Sequence, residues 1–210
     1  MQQIVLDEHS EWLDMLKQTA QGIRNRFPEL SMEAIMDMFQ HSQVLQIPKK
    51  GVFIRRGQFD TRVAFVVKGL FRAFYKQDSA EYTIWFREEY DLFASHASIL
   101  SGKPSTLTYQ ALEDSVIMVM DYPQLKDRAK MDQQMAIQII TILEGILLRL
   151  IESLENFIMM NPEERFQKIM ERKSNLVNRV PQNQLASLLG ITPESFSRLK
   201  GRLKQKEESQ

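Results

Sequence analysis

The segment from Val180 to Lys206 constrains this chain more than any other. It reads V-P-Q-N-Q-L-A-S-L-L-G-I-T-P-E-S-F-S-R-L-K-G-R-L-K-Q-K. Apolar residues recur at helical spacing on both sides of Gly190, and Thr192-Pro193 is a typical start of a helix. The pattern predicts two short helices joined by a tight turn. In a helix-turn-helix of this kind, the second helix enters the major groove of DNA.

The residue types inside the motif fit this prediction. The first helix is predicted over 181–189, and Gly190 supplies the left-handed conformation that the turn needs. Ile191 is predicted to be a buried turn residue, and Ala186 is small enough to let the second helix approach closely. The positions predicted to pack the two helices together are Leu185, Ala186, Leu189, Phe196, Leu199 and Leu203.

Polar side chains are left on the outer face of the second helix. Glu194, Ser197 and Arg198 are predicted to read base edges, because Glu accepts from cytosine N4 and Arg donates two bonds to guanine. The residues better placed for phosphates are Gln182, Thr192, Ser195, Lys200 and Arg202. The alternative for Glu194 and Arg198 is an ion pair within the helix, worth about 0.3–0.5 kcal/mol.

The charge distribution favours a nucleic-acid partner although the net charge of the chain is zero. From Asn161 onward there are ten Lys and Arg against six Asp and Glu, whereas the rest carries 17 basic and 21 acidic residues. The basic excess therefore coincides with the helix-turn-helix, where DNA phosphates would lie. A solvated basic helix face would give the same balance.

The first 120 residues predict helices followed by a β domain. Residues 8–20 and 29–41 have helical spacing and are predicted to cover that domain. Between residues 43 and 120, seven or eight short runs of β-branched and aromatic residues alternate with turn signals. Strands at this spacing predict a compact barrel or sandwich.

A long helix is predicted from about Asp132 to Ile158. It is apolar on two faces, so it needs two surfaces to pack against. One is its own β domain; the other is the same helix of a second subunit, and we assign Ile142 and Ile146 to that interface. The alternative is a helix wholly buried in one monomer. Asn161-Pro162-Glu163-Glu164 then predicts the start of another helix.

Several classes of protein are disfavoured. The chain has no cysteine, which excludes disulfides and cysteine-ligated iron–sulfur and zinc sites. No catalytic or metal-ligating motif occurs, so we predict that the protein is not an enzyme and holds no metal. The start of the chain lacks the features of a signal peptide, and the apolar window 135–151 contains Glu144 and Arg149. We therefore predict a cytoplasmic protein with no membrane partner.

The whole order of elements resembles the Crp/Fnr family of bacterial transcription regulators. The resemblance is carried by Q-L-A-S-L-L-G-I-T-P-E-S-F-S-R-L in the helix-turn-helix, and by K-K-G-V-F-I-R-R-G-Q with A-F-V-V-K-G-L-F-R in the β region. It implies an α+β fold: an N-terminal jelly-roll-like β-roll of the cyclic-nucleotide-binding-domain type, a long dimerisation helix, and a C-terminal helix-turn-helix domain of winged-helix type. The corresponding divisions are an effector domain (1–130), a dimerisation helix and hinge (131–160) and a DNA-binding domain (161–210).

The resemblance also implies partners. It predicts a homodimer on an inverted-repeat operator in double-stranded DNA, with a small-molecule effector and RNA polymerase as further partners. Glu194, Ser197 and Arg198 match the family's base-reading positions. The combination E-x-x-S-R resembles the Fnr-like branch, which reads TTGA-type half-sites.

The effector region departs from the members that bind cyclic AMP. In those, a Glu meets the ribose and an Arg followed by Ser or Thr meets the cyclic phosphate. Here Ser95 replaces the Glu and Ser105 replaces the Arg, and only Thr106 is retained. We therefore expect no cyclic AMP binding in the usual manner. The pocket holds another small molecule or is filled by its own side chains, and the sequence identifies no cofactor.

A second function from a different class stays open at this point. The chain would then be a small-molecule-binding module whose helix-turn-helix makes protein contacts rather than DNA contacts. The outward Arg198, together with Lys200 and Arg202, counts against it.

Overall fold

The computed structural model describes residues 9–28, 30–172 and 174–207. Within them the chain forms nine helices and eight strands. The helices are α1 (His9–Arg26), α2 (Met32–Gln40), α3 (His96–Ser101), α4 (Tyr122–Met131), α5 (Gln133–Met159), α6 (Pro162–Arg172), α7 (Ser174–Arg179), α8 (Gln182–Leu189) and α9 (Pro193–Glu207). The strands are β1 (Gln43–Ile47), β2 (Val52–Ile54), β3 (Arg62–Lys68), β4 (Phe71–Gln77), β5 (Ala80–Arg87), β6 (Leu92–Ala94), β7 (Thr108–Ala111) and β8 (Ser115–Asp121).

The chain divides into two compact units. The first consists of residues 1–73 and 86–147, and the second of residues 74–85 and 148–210. Strands of the β domain form two four-stranded sheets, ordered β1-β8-β3-β6 and β2-β7-β4-β5. The predicted β-roll is confirmed. In the first sheet, β8 pairs antiparallel with both β1 and β3.

Helices α1 and α2 cover the first sheet, as the sequence predicted. Strand β3 is buried at five consecutive positions, Val63 to Val67, so both of its faces are covered. The helices contribute Ala20, Ile23, Phe27, Leu30 and Ile35 to a core cluster with Phe65, Val67, Met118 and Met120. Helix α1 continues to Arg26, beyond the predicted end at residue 20, whereas residues 8 and 29 lie outside the described part.

The sequence analysis missed several elements, among them strand β6 and helix α4. Strand β6 is only three residues long, too short to show an alternating pattern. Helix α4 begins at Tyr122, where the sequence analysis predicted only the end of the β domain. Pro123 lies in the first turn of this helix, where a missing backbone N–H costs no hydrogen bond.

Helix α5 has two apolar faces, as predicted, but the assignment of Ile142 was wrong. Met135 is buried, and Ile142 packs against the core cluster of its own β domain. Many other apolar side chains of α5 are exposed, and seven of them, each 44–64% exposed, lie between residues 137 and 154. They are Ile137, Ile140, Leu143, Leu147, Leu150, Ile151 and Leu154. We call these seven residues the α5 stripe.

The α5 stripe makes the helix unusually apolar for an exposed element. An 18-residue window has a mean hydropathy of 1.7 and is 6% buried, so its length and composition would suffice to cross a membrane. Charged side chains nevertheless occur along the helix, at Glu144, Arg149 and Glu152. Because large exposed apolar patches mark interaction sites, the stripe needs a partner that covers it.

The second unit is built around α6, α8 and α9. Phe166 and Phe196 meet edge to face at 5.0 Å between ring centroids, and both side chains are fully buried. Residues 161–172 and 174–207 contain helices and no strand, so the described part shows no wing of the kind that a winged-helix domain carries.

A hairpin segment completes the second unit. Ser187 Oγ of α8 accepts a hydrogen bond from Thr83 N at 2.9 Å and donates one to Glu81 O at 3.1 Å. Both backbone groups belong to β5, which is the last strand of its sheet. The hydroxyl therefore occupies two main-chain groups of an edge strand.

Candidate nucleic-acid interface and effector pocket

Helices α8 and α9 pack as the sequence predicted. Leu185, Ala186 and Leu189 of α8 are at most 1% exposed, and Phe196, Leu199 and Leu203 of α9 are buried as well. Ala186 has no exposed surface, which fits its expected role of allowing close approach of the helices. Burying a side chain of this size contributes about 1.5–3 kcal/mol, so the pair has a core of its own.

The turn between the helices depends on Gly190. Its φ of 71° is left-handed, and its N–H donates to the carbonyl of Ser187 at 3.1 Å. The next N–H, of Ile191, donates to Ala186 O at 3.0 Å. These two bonds end α8 and direct the chain into α9. The side chain of Ile191 is half-buried rather than buried.

The N-terminus of α9 is capped by Thr192. Its Oγ1 accepts a hydrogen bond from Ser195 N at 3.2 Å, and Pro193 is the first residue of the helix. Backbone hydrogen bonding and a bond from the Thr192 hydroxyl lower the pKa of Glu194, with a smaller contribution from Arg198. Glu194 is therefore a carboxylate at neutral pH, able to accept but not to donate.

The three predicted base-reading residues, Glu194, Ser197 and Arg198, are all exposed on α9. Arg198 Nη2 donates to Ser195 Oγ at 3.1 Å. Among the described residues, Glu194 and Arg198 form no ion pair, so the structure does not adopt the alternative that the sequence left open. Carboxylate and guanidinium are both presented on the outer surface.

The predicted phosphate contacts fall into two groups. Gln182 is exposed and Lys200 is half-buried. The other three have contacts within the protein: Thr192 caps α9, Ser195 holds Arg198, and Arg202 Nη2 lies 3.1 Å from Glu163 Oε2. Arg202 remains 63% exposed, so that pair does not bury its charge.

The residues predicted for the effector pocket lie around α3. Ser95 caps this helix: its Oγ accepts from Ser98 N at 3.3 Å and lies 3.0 Å from Ser98 Oγ. Ser98 Oγ in turn accepts from Asp60 N at 3.3 Å. Ser95 is 1% exposed. Its hydroxyl is therefore used within the protein.

Ser105 is engaged in a similar way. Its Oγ donates to Leu107 O at 2.8 Å, and its backbone N–H donates to Gln58 O at 2.8 Å. Ser105 is buried, whereas Thr106 is exposed. Of the three predicted pocket residues, only Thr106 presents its side chain to solvent.

Aromatic side chains fill the interior next to α3. Phe93 stacks on Tyr109 at 5.8 Å and meets Phe53 edge to face at 5.7 Å. The Tyr109 hydroxyl donates to Ala94 O at 2.7 Å, and burial raises the pKa of Tyr109 to about 12. An open groove of about 570 Å³ elsewhere in the β domain is lined by Gln46, Ile47, Pro48, Lys68, Asp114, Ser115 and Val116. None of the predicted pocket residues lines it.

Comparison with known proteins identifies the β domain. Residues 44–132 match the cyclic nucleotide-binding domain family. No curated protein matches the chain. The matched region extends from β1 to the residue before α5, and it contains the α3 region described above.

Solved structures show the same fold over most of the chain. FixK2 from Bradyrhizobium japonicum has a TM-score of 0.66 at 19% identity, covering 79% of this chain and 86% of its own. The c-di-GMP responsive global regulator CLP of Xanthomonas campestris has 0.63 at 14%, covering 84% and 93%. The catabolite activator protein of Thermus thermophilus has 0.53 at 18%, covering 87% of each chain. The resemblance to Crp/Fnr regulators is therefore confirmed at the level of the fold.

Ser95 and Ser105 are the residues that the sequence analysis aligned with the Glu and Arg of cyclic-AMP-binding members, and both hydroxyls are engaged internally. A neutral hydroxyl cannot replace a guanidinium that forms two charge-assisted bonds.

Sequence reasoning missed two residues of the second unit. Arg165 was counted only as a basic charge, yet its guanidinium contacts the ends of two helices. Ser187 was not singled out, although it bonds to β5. Both bond to main-chain groups, which leave no side-chain pattern in the sequence. The one signal for Arg165 is its place in the first turn after the Asn-Pro start.

Proposed function

We propose that this protein is a homodimeric, DNA-binding transcription regulator of Crp/Fnr type that acts in the cytoplasm on an inverted-repeat operator. The proposal rests above all on α9, whose inner face is buried while Glu194, Ser197 and Arg198 are exposed and not paired with each other. The fold of the similar structures and the local excess of basic residues support it. RNA polymerase is the partner that such a regulator would contact.

The proposed organisation follows the element boundaries. Residues 1–130 would form the effector domain, 131–160 the dimerisation helix and hinge, and 161–210 the DNA-binding domain. In support, α4 ends at Met131, α5 occupies most of the second region, and α6 begins at Pro162.

The proposed dimer uses the α5 stripe. Its members Ile140, Leu143, Leu147, Leu150 and Leu154 recur at alternating steps of three and four residues, the repeat of a coiled-coil seam. A second copy of the same helix presents a matching surface, and the two-fold relation then places two copies of α9 for two half-sites. We propose that cyclic AMP is not bound in the family's usual manner, because Ser95 and Ser105 stand where a Glu and an Arg would be needed.

DNA recognition is tested by operator selection followed by gel-shift assays. Wild-type protein should select an inverted repeat, and Arg198→Ala should lose about 1–3 kcal/mol against the preferred base. Glu194→Ala should relax the choice at one position of each half-site. Arg24→Ala is the matched control, because Arg24 is also an exposed arginine but lies in the last turn of α1. Failure of wild-type protein to select any sequence would contradict the proposal.

A further inference from the structure

Arg165 joins the carboxyl ends of two helices. Its Nη1 donates to Phe157 O in the last turn of α5 at 3.1 Å, and to the O atom of Met160, the residue after α5, at 2.6 Å. Its Nη2 donates to Leu189 O, the last carbonyl of α8, at 2.7 Å. The guanidinium carbon also lies 4.8 Å from the centroid of the Phe157 ring. One side chain on α6 thus contacts the long helix and the first helix of the helix-turn-helix.

The chemistry of this contact requires an arginine. The last carbonyls of a helix have no partner within it, and the dipole makes that end negative. At the end of α8, the N–H groups of Gly190 and Ile191 bond to Ser187 and Ala186, whereas Leu189 O bonds to Arg165. A planar guanidinium can donate to carbonyls in different directions at once, and a single ammonium group cannot hold the same geometry.

Two buried polar atoms without a hydrogen-bond partner lie in helices α6 and α8. Among the described residues, the buried side-chain polar atoms without a partner are Arg165 Nε on α6 and Gln184 Oε1 on α8. Such groups cost folding free energy and call for an explanation in terms other than stability. Both atoms belong to helices that the Arg165 contact involves, α6 and α8.

We propose that Arg165 is a positioning residue that fixes the direction of α8 and α9 relative to the end of α5, and so sets the spacing between the two half-sites that the dimer accepts. This inference rests on the proposed function. In a dimer paired along α5, a rotation at the Arg165 contact moves both copies of α9, and their separation must match one helical turn of DNA.

The test measures spacing preference rather than affinity alone. The selected operator is varied by inserting or deleting single base pairs between its half-sites, and binding of wild type and Arg165→Lys is measured on each. Wild type should prefer one spacing by at least about tenfold, because other spacings require deformation of the DNA. Arg165→Lys should select the same half-site sequence but lose most of that preference. Arg128→Lys is the control. Arg128 Nη2 donates to both carboxylate oxygens of Asp37, and both residues lie in the first unit, away from the helix-turn-helix sequence.

The outcomes separate the two proposals. If wild type binds no operator, the proposed function fails. If wild type binds but Arg165→Lys keeps the wild-type spacing preference, the role of Arg165 is overturned while DNA recognition stands. A wild type that tolerates all spacings equally also overturns it. Circular dichroism and dimer mass establish folding; should Arg165→Lys not fold, Arg165→Gln, which keeps one amide donor, gives the same comparison.

Discussion

The α5 stripe makes the subunit interface directly testable with Leu143→Lys combined with Leu147→Lys. These leucines are 44% and 55% exposed, so pairing would remove roughly half of each side chain from water. Full burial of a leucine contributes about 1.5–3 kcal/mol, and each of these contributes about 1 kcal/mol. A dimer contains four such side chains, so the double variant should lose about 4 kcal/mol of association free energy, or about a thousand-fold in Kd. An ammonium held in the seam raises the loss further.

The measurement is sedimentation equilibrium of wild type and variant over a range of protein concentrations. The double variant should be monomeric where wild type is dimeric, and its far-ultraviolet circular dichroism should be unchanged because the replaced residues are exposed in the monomer. Met131→Lys is the matched control: Met131 is 90% exposed but lies outside α5. A double variant that dimerises as tightly as wild type would refute the assignment of the stripe, and so would a monomeric wild type.

Two further predictions concern the β domain. Cyclic AMP should leave the Tm unchanged. A ligand present at 100 times its Kd would stabilise the fold by about 2.7 kcal/mol, which raises the Tm by about 5–10 °C for a chain of this size. A rise of that order would contradict the prediction that cyclic AMP is not bound in the usual manner. Tyr109 should make stability fall at high pH, because its raised pKa favours the neutral phenol: the contribution is complete below pH 10 and is lost as the pH rises to about 12. Urea unfolding across that range should show a shallower fall for Tyr109→Phe, and equal slopes would contradict the prediction.

Local signals explain why the helix-turn-helix could be predicted in detail. The cap at Thr192 and the left-handed turn at Gly190 depend on neighbouring residues, so the sequence contains the information needed. Strand β6 is too short to carry such a signal, whereas helix α4 has one, Pro123 in its first turn, that the sequence analysis did not use. For Ile142, periodicity revealed two apolar faces but could not determine which one meets the β domain, because that depends on the packing of α1, α2 and the first sheet.

The effector region shows a different limit. The replacements at Ser95 and Ser105 could be read from the sequence, but the partners of their hydroxyls could not. Ser105 donates to a carbonyl two residues away, and Ser98 links Ser95 to Asp60, 38 residues from Ser98 in the chain. Of these bonds, the one between Ser98 and Asp60 depends on the tertiary arrangement of loops. The same holds for Arg165, whose carbonyl partners lie 5, 8 and 24 residues away.

The bond between Ser187 and β5 has a consequence for solubility. Unpaired N–H and C=O groups on an outer strand form a template to which another polypeptide can add. Here one hydroxyl occupies two of those groups, at Glu81 and Thr83, while Tyr82 between them stays exposed. A chain truncated before α8 would lose the Ser187 hydroxyl that bonds to β5. Another polypeptide could then pair with this strand, and the shortened protein would aggregate more readily.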